Sequence, residues 1–261
     1  KNEEKKRLLF EYFYYDACCL NYNLSLTKNL YFLKNLFCST FKKMSKFKFF
    51  NKESDGTGVG AISVSRGSGE STFFLSCLYT NPTSLNEKMN DLESRLTALG
   101  MPHLVFITET WFGPLSAPGI VGYNLFKRDR VDRRGGGVAI YIKKELTSAE
   151  ITNPILTEGP LEQIWCSLTV GGEKILIGCV YRPEPDPEKD EALINTIITA
   201  KHLIAINTYD ALLLTGDFNL RDIDWKTVGR PLVSEKSFDF LVLTTLDDCF
   251  LTQCIREHTF F

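Results

Sequence analysis

Residues 213–219 are LLTGDFN, an apolar run that ends in a glycine and then places a carboxylate and an amide two positions apart. In an extended chain, residues i and i+2 point to the same side. Asp217 and Asn219 are therefore predicted to face one small spot at the end of a strand. A carboxylate and an amide at that spot suit a phosphate, a metal ion or an attacking water, although a simple Asx turn gives the same pattern.

Three further apolar runs, typical of buried strands, also end in polar residues. These polar endings are Asn81, Glu109 and the neighbouring pair Tyr181 and Arg182. One such ending is common in any protein. Four in one chain predict that the strand ends meet and form a site.

Apolar residues at helical spacing predict helices over residues 86–99 and 191–206, and a further helix over 238–246. Strands that alternate with helices favour an α/β fold. The glycine run 135–137 lacks the Lys-Ser/Thr of a P-loop and does not form G-x-G-x-x-G. It therefore predicts a tight turn before a strand over 138–142.

The ordered motifs resemble those of the endonuclease/exonuclease/phosphatase superfamily, and within it the endonuclease domain of LINE-type (non-LTR) retrotransposon polyproteins. The resemblance covers about residues 71–258. The motifs that carry it are YTN (79–81) with SLN (84–86), ITETW (107–111), GYNLFKRDR (122–130), RGGGVA (134–139), VYRP (180–183) and GDFN (216–219). It implies a four-layer α/β sandwich, in which two mixed β-sheets pack face to face and helices cover their outer faces.

The resemblance also implies an enzyme that hydrolyses phosphodiesters with Mg²⁺ or Mn²⁺. In the retrotransposon branch, this activity nicks target DNA so that the freed 3′ hydroxyl can prime reverse transcription. The expected partners are DNA and a reverse transcriptase in the parent polyprotein. Oxygen ligands suit Mg²⁺, and phosphodiester cleavage needs a cation, a base near the water and donors to the phosphate oxygens.

Site roles follow from the resemblance, position by position. The implied catalytic residues are Asp217, Asn219, Tyr181 and Asn81, the implied metal ligands are Glu109 and Asn81, and the implied substrate-binding residues are Asn86, Arg182 and Asn219. Asp217 would orient or deprotonate the attacking water, and Asn219 would hold the scissile phosphate. Tyr181 would contact the phosphate or support the acid cluster. Arg182 would contact the DNA backbone.

The chain departs from this family towards its C-terminus. Members carry a late Ser-Asp-His or similar motif, and none occurs before Phe261. His103, His202 and His258 lack that motif around them, and a histidine is well suited to transition-state stabilisation at neutral pH. We therefore expect a sandwich that is incomplete at the C-terminus and an impaired enzyme. The alternative is a catalytically inactive retroelement remnant without an enzymatic role.

The expected domain organisation has three parts. Residues 1–50, rich in Lys, Asn, Phe and Tyr, are predicted to be a low-complexity extension, residues 51–70 a linker, and residues 71–261 the truncated domain. Basic and aromatic residues alternate over 41–50 and could bind single-stranded nucleic acid or a membrane surface. We favour translated non-coding sequence without a role. No run reaches the roughly 18 apolar residues of a membrane span, so no membrane partner is expected.

Charge is divided unevenly along the chain. Residues 1–70 hold 12 Lys+Arg against 7 Asp+Glu, whereas residues 71–261 hold 18 against 25. The acidic domain is unfavourable for tight DNA binding. Its basic residues cluster beside the glycine run, where either a solvated hairpin or a DNA-backbone contact explains them. This cluster consists of Lys127, Arg128, Arg130, Arg133 and Arg134.

The eight cysteines show no C-x-x-C spacing, which argues against a zinc site. Cys77, Cys166 and Cys179 lie within apolar runs and are predicted to be small buried hydrophobes. This pattern indicates a reduced, intracellular setting. For a functional copy, the resemblance implies the nucleus.

Overall fold

A computed structural model of the 261-residue chain describes residues 36–40, 48–54, 57–64, 73–116, 118–220, 223–224, 230–231, 235 and 237–253. Two mixed six-stranded sheets dominate this part of the chain. Within it, none of the helices combines the length and apolar character that crossing a bilayer requires.

Sheet one contains β2 (Lys48–Ser54), β3 (Thr57–Val64), β4 (Phe73–Thr80), β5 (Leu104–Thr108), β6 (Tyr123–Arg128) and β7 (Val138–Lys143), in the order β2-β3-β4-β5-β7-β6. Sheet two contains β1 (Leu36–Thr40), β8 (Thr147–Glu150), β9 (Glu162–Val170), β10 (Glu173–Tyr181), β11 (Ala211–Asp217) and β14 (Thr252–Gln253), in the order β14-β1-β11-β10-β9-β8. A small ribbon pairs β12 (Ile223–Asp224) with β13 (Arg230–Pro231). The described helices are α1 (Met89–Ala98), α2 (Pro154–Thr157), α3 (Pro187–Ala205) and α4 (Phe238–Asp248).

The two sheets pack face to face through alternate residues of their strands. On β10, Ile175, Ile177 and Cys179 face the core between the sheets, whereas Leu176 and Val180 face the helices outside. This period of two is what a strand buried on both faces requires. Because α1 covers sheet one and the other helices cover sheet two, the predicted four-layer α/β sandwich is confirmed.

Helix starts in the structure have clear local causes. The side chain of Asp186 accepts hydrogen bonds from the backbone N–H groups of Glu188 and Lys189, and Pro187 occupies the first turn of α3. Ser237 caps α4 in the same way through the N–H of Phe240. Such caps satisfy donors that the helix itself leaves unpaired.

Cysteines within the core match their prediction. Cys77, Cys166 and Cys179 are buried and unpaired, and burial raises the pKa of Cys77 to about 12. The Cys179 thiol donates to the carbonyl of Ile107 on the opposite sheet, at 3.7 Å. These side chains are therefore packing residues and not reactive thiols.

Strands also occupy part of the segment that the sequence pattern assigns to an extension and a linker. β1 pairs with β11, while β2 and β3 extend sheet one beyond β4. Residues 36–40, 48–54 and 57–64 are thus strand, which corrects the local prediction; the domain boundaries stay a prediction. The physical reason is that β4 and β11 would otherwise present unpaired backbone edges.

Gly216 provides a test of the pairing between β10 and β11. Its φ is +149°, and a Cβ built there would overlap the carbonyl oxygen of Val180 on the neighbouring strand. We expect Gly216→Ala to lower the free energy of unfolding in urea by about 3 kcal/mol. Gly159→Ala is the matched control, since Gly159 also has a positive φ of +100° but nothing within 4 Å of its Cβ position. Equal losses for both variants would contradict the steric argument.

Candidate active site

Four strand ends meet at one edge of the sandwich. β4 runs parallel to β5, and β10 runs parallel to β11, so the carboxyl ends of each pair share an edge. Asn81 and Glu109 follow the two strands of sheet one, while Tyr181 and Asp217 are register partners at the ends of β10 and β11. The structure brings together the residues that the sequence places at these ends.

The Asn81 amide bridges the two carboxylates of the site. Its Nδ2 donates to Glu109 Oε1 at 2.8 Å and to Asp217 Oδ2 at 3.2 Å. Its Oδ1 accepts from the backbone N–H of Thr83 at 3.1 Å, which fixes the orientation of the amide. Since Glu109 belongs to sheet one and Asp217 to sheet two, this neutral side chain connects the halves of the site.

Tyr181 supports the same cluster from sheet two. Burial raises the pKa of Tyr181 well above its ordinary value, and the charge of Glu109 and a hydrogen bond with that carboxylate raise it further. The phenol therefore stays protonated at neutral pH and remains a hydrogen-bond donor. On sheet one, the Tyr79 hydroxyl contacts Thr108 Oγ1 at 2.7 Å. Burial raises the pKa of Tyr79, and the charge of Asp217 raises it further.

Asp217 is 2% exposed. Its Oδ1 accepts from the backbone N–H of Asn219 at 3.2 Å, the Asx-type contact that the GDFN motif permits. The Asn219 amide in turn donates to the carbonyl oxygens of Arg182 and Pro183, at 2.7 and 3.0 Å. Asn219 thus holds the loop after β10 in place, and both of its amide hydrogens are engaged in this geometry.

Backbone conformation also distinguishes this edge. Five of the eight described non-glycine residues with positive φ lie in its loops: Thr83, Ser84, Glu109, Trp111 and Asn219. Each such residue costs of order 1 kcal/mol or more unless surrounding contacts compensate for it. Strain of this kind concentrates at functional sites, which makes this edge the candidate active site.

Arg182 is buried inside the fold. It is 2% exposed, its Nε donates to Asp190 Oδ1 at 2.6 Å, and its Nη1 donates to the carbonyl of Phe218 at 3.0 Å. The guanidinium also lies 4.4 Å from the ring centre of Phe238. Its charge is compensated inside the fold, so this placement supports a structural role and not the expected contact with the DNA backbone.

Asn86 lies at the rim of the site. It is exposed, and its Nδ2 donates to the carbonyl of Trp111 at 2.9 Å. It therefore ties the loop after β4 to the loop after β5. Contact with a substrate at this exposed position stays a prediction.

Glu162 and Arg130 form a connection that the sequence does not reveal. The Glu162 carboxylate accepts from Arg130, with Nε at 2.7 Å, and from the backbone N–H of Gly137. Glu162 lies opposite Tyr181 in the register, so it joins sheet two to the glycine turn of sheet one. The only available signal was that β9 and β10 form a hairpin, which brings the amino end of β9 to the site edge.

Histidines lie elsewhere in the described part of the chain. His103 precedes β5, about 20 Å from Glu109 along the strand, and its ring contacts the Ser76 hydroxyl at 2.8 Å. Burial and then Lys143 lower the pKa of His103. His202 is exposed on α3, and His258 lies outside the described residues.

A divalent cation fits the donor set of this edge. No group of three or more His, Cys, Asp or Glu side chains among the described residues is arranged to hold a metal. Mg²⁺, however, is commonly bound through one or two carboxylates together with waters and substrate phosphates. Glu109 and Asp217 supply two such carboxylates. Asn81 turns its N–H₂ group towards them, so its amide would have to rotate before its oxygen could coordinate a cation.

Comparisons with known proteins agree with this architecture. The profile of the Endonuclease/Exonuclease/phosphatase family matches residues 66–234, more than half of the chain. No curated protein matches the chain at a significant level.

Three of the similar solved structures illustrate the likeness in fold. The endonuclease domain of TRAS1, a telomere-specific non-LTR retrotransposon, is 15% identical with a TM-score of 0.47, over 66% of this chain and 69% of that one. The 3′-5′ exonuclease NExo from Neisseria meningitidis is 18% identical with a TM-score of 0.48, over 66% and 70%. Humanized D. rerio TDP2 is 24% identical with a TM-score of 0.40, over 57% and 63%, so the chain spans less than two thirds of that protein.

Asn81→Asp tests the bridge between the carboxylates. The change puts a third negative charge between Glu109 and Asp217 and removes the donor that both accept from. We expect the melting temperature in EDTA to fall by several degrees, since about 1–2 kcal/mol corresponds to that shift in a chain of this size. Millimolar Mg²⁺ should restore part of the loss.

Asn90→Asp on exposed α1 adds the same charge outside the hydrogen bonds that join Asn81 to Glu109 and Asp217, and it serves as the control. The bridge would be refuted by a melting curve of Asn81→Asp that matches this control with and without Mg²⁺.

Proposed function

This chain belongs to the endonuclease/exonuclease/phosphatase family, and from that premise we propose that it is a metal-dependent phosphodiester hydrolase of endonuclease type. The family is hydrolytic and acts on phosphodiester bonds. The observation that carries the proposal is the pair of carboxylates, Glu109 and Asp217, joined by the Asn81 amide at the edge where both sheets end.

Each residue of the site has a task in such a reaction. Asp217 accepts the proton of the attacking water, and its contact with the N–H of Asn219 fixes its orientation. The Tyr181 hydroxyl, protonated at neutral pH, orients Glu109 through their hydrogen bond. A divalent cation held by Glu109 would neutralise the charge that develops on the phosphate.

Asn219 contributes in a different way from the role that the resemblance implies. Its amide hydrogens are engaged by the carbonyls of Arg182 and Pro183. We propose that it braces the loop beside Asp217, and that it can donate to a scissile phosphate only after one of these bonds is exchanged.

The proposed substrate is DNA, nicked as a step in retrotransposon integration. Support comes from the motif order around residues 107–111, 134–139 and 180–183, which resembles the retrotransposon branch. A reverse transcriptase in the parent polyprotein and a nuclear location are further parts of this proposal.

A second candidate is a catalytically inactive retroelement remnant. The observation that favours it is that neither described histidine lies near the carboxylates. A family member of this type draws on a histidine for transition-state stabilisation, and groups that act as a unit lose most of the rate when one is absent.

Nicking of supercoiled plasmid separates these two candidates. We expect the purified chain to convert supercoiled plasmid to open circles with Mg²⁺ and not with EDTA. Asp217→Ala should lower the nicking rate by two or more orders of magnitude, because it removes the proposed base.

Asp91→Asn on exposed α1 is the matched control, because it removes a carboxylate charge that takes no part in the Asn81 hydrogen bonds to Glu109 and Asp217. Circular dichroism and thermal melting must first show that each protein folds. Folded protein that never nicks would support the inactive remnant, and nicking that survives Asp217→Ala would remove Asp217 from the mechanism.

A further inference from the structure

In the basic cluster beside the glycine turn, some side chains form ion pairs with carboxylates and others do not. Lys127 forms an ion pair with Asp129, and Arg130 forms one with Glu162. No carboxylate among the described residues forms an ion pair with Arg128, Arg133 or Arg134, and all three are exposed. The cluster therefore presents its positive charge to solvent at the end of β6 and in the loop that follows it.

Arg134 has an ordered environment despite its exposure. Its guanidinium carbon lies 5.4 Å from the ring centre of Trp111. The backbone holds the two residues together, since the N–H of Trp111 donates to the carbonyl of Gly136 at 2.8 Å and that of Thr110 donates to Gly137 at 3.2 Å. The loop that carries Arg134 is thus fixed to the loop that carries Glu109.

This arrangement places Arg134 at the rim of the active site. Trp111 follows Glu109 by two residues, so its Cα lies within about 7 Å of that of Glu109. An aromatic face holds a guanidinium without consuming its N–H groups, which point outwards in the plane of the group. That edge is free to bind the two oxygens of a phosphate.

Trp111 shows a second unusual feature. Its indole Nε1 is buried without a hydrogen-bond partner among the described residues, beneath Gly135, and its own φ is +56°. An unpaired buried donor and a left-handed backbone both cost free energy. The fold therefore keeps the ring in this position against a local cost, as it does for the other strained residues of the site edge.

We propose that the Trp111–Arg134 pair is a DNA-phosphate subsite next to the scissile bond, in which Arg134 binds the backbone and Trp111 holds the guanidinium. This inference rests on the proposed function, because it assigns a subsite to that same substrate. It separates Arg134, which contacts the substrate, from Lys127 and Arg130, whose ion pairs serve the fold. Arg128 and Arg133 are exposed charges to which no contact is assigned.

The test is the salt dependence of DNA binding, measured by fluorescence anisotropy on a labelled duplex in EDTA, where cleavage does not occur. Each phosphate contact contributes close to one unit to the slope of log affinity against log salt. We expect Arg134→Gln to weaken binding roughly three- to tenfold and to reduce that slope by about 1. Arg134→Lys should keep the slope and lose part of the affinity, because lysine lacks the bidentate fork.

Three further variants sharpen the test. Lys144→Gln removes an exposed charge just beyond the opposite end of β7, about 20 Å from the first residue of that strand. This change should leave both the affinity and the slope unchanged. Trp111→Leu should weaken binding while Trp111→Phe retains most of it, since phenylalanine keeps an aromatic face.

The outcomes separate this inference from the proposed function. An Arg134→Gln variant that behaves like Lys144→Gln, or a folded chain that binds no duplex, overturns the subsite. Plasmid nicking with an unchanged Arg134→Gln slope would leave the nuclease and remove the subsite. Arg134-dependent binding without any nicking would keep the subsite and remove the nuclease.

Discussion

The burial of the inner faces of the two sheets against each other is the constraint on which the site depends. Alternate residues of β4, β5, β7, β9, β10 and β11 fill the space between the sheets. Because a shift of one residue would turn a whole strand over, this core fixes the register of every strand that ends at the site edge. The positions of Glu109 and Asp217 follow from that register, and the Asn81 bridge then sets their separation.

Neutral groups donate hydrogen bonds to the two carboxylates at this edge. An amide stands between the two carboxylates, and a protonated phenol contacts Glu109 from the other sheet. The arginines that could have entered the cluster are engaged elsewhere, Arg130 by Glu162 and Arg182 by Asp190. Two adjacent carboxylates are a donor set that favours a cation from solution.

The sequence predicted the location of the site from the residues at which its strands end. Apolar runs that stop at Asn81, Glu109 and Asp217 locate the site, because the carboxyl ends of parallel strands share an edge. Glu162 was missed because it begins its strand, and only the antiparallel hairpin brings that end to the site. The Tyr-Arg-Pro motif gave no indication that Arg182 is buried against Asp190, since exposure is set by tertiary packing.

The origin of the two carboxylates on different sheets has a consequence for how the molecule tolerates damage. Each sheet supplies only one of the two carboxylates. A fragment that contains a single sheet therefore lacks half of the site. A substitution that lets the two sheets shift against each other changes the distance between the Glu109 and Asp217 carboxylates before it unfolds either sheet. Loss of function should therefore precede loss of secondary structure, and Glu162, which ties the second sheet to the glycine turn of the first, opposes that sliding.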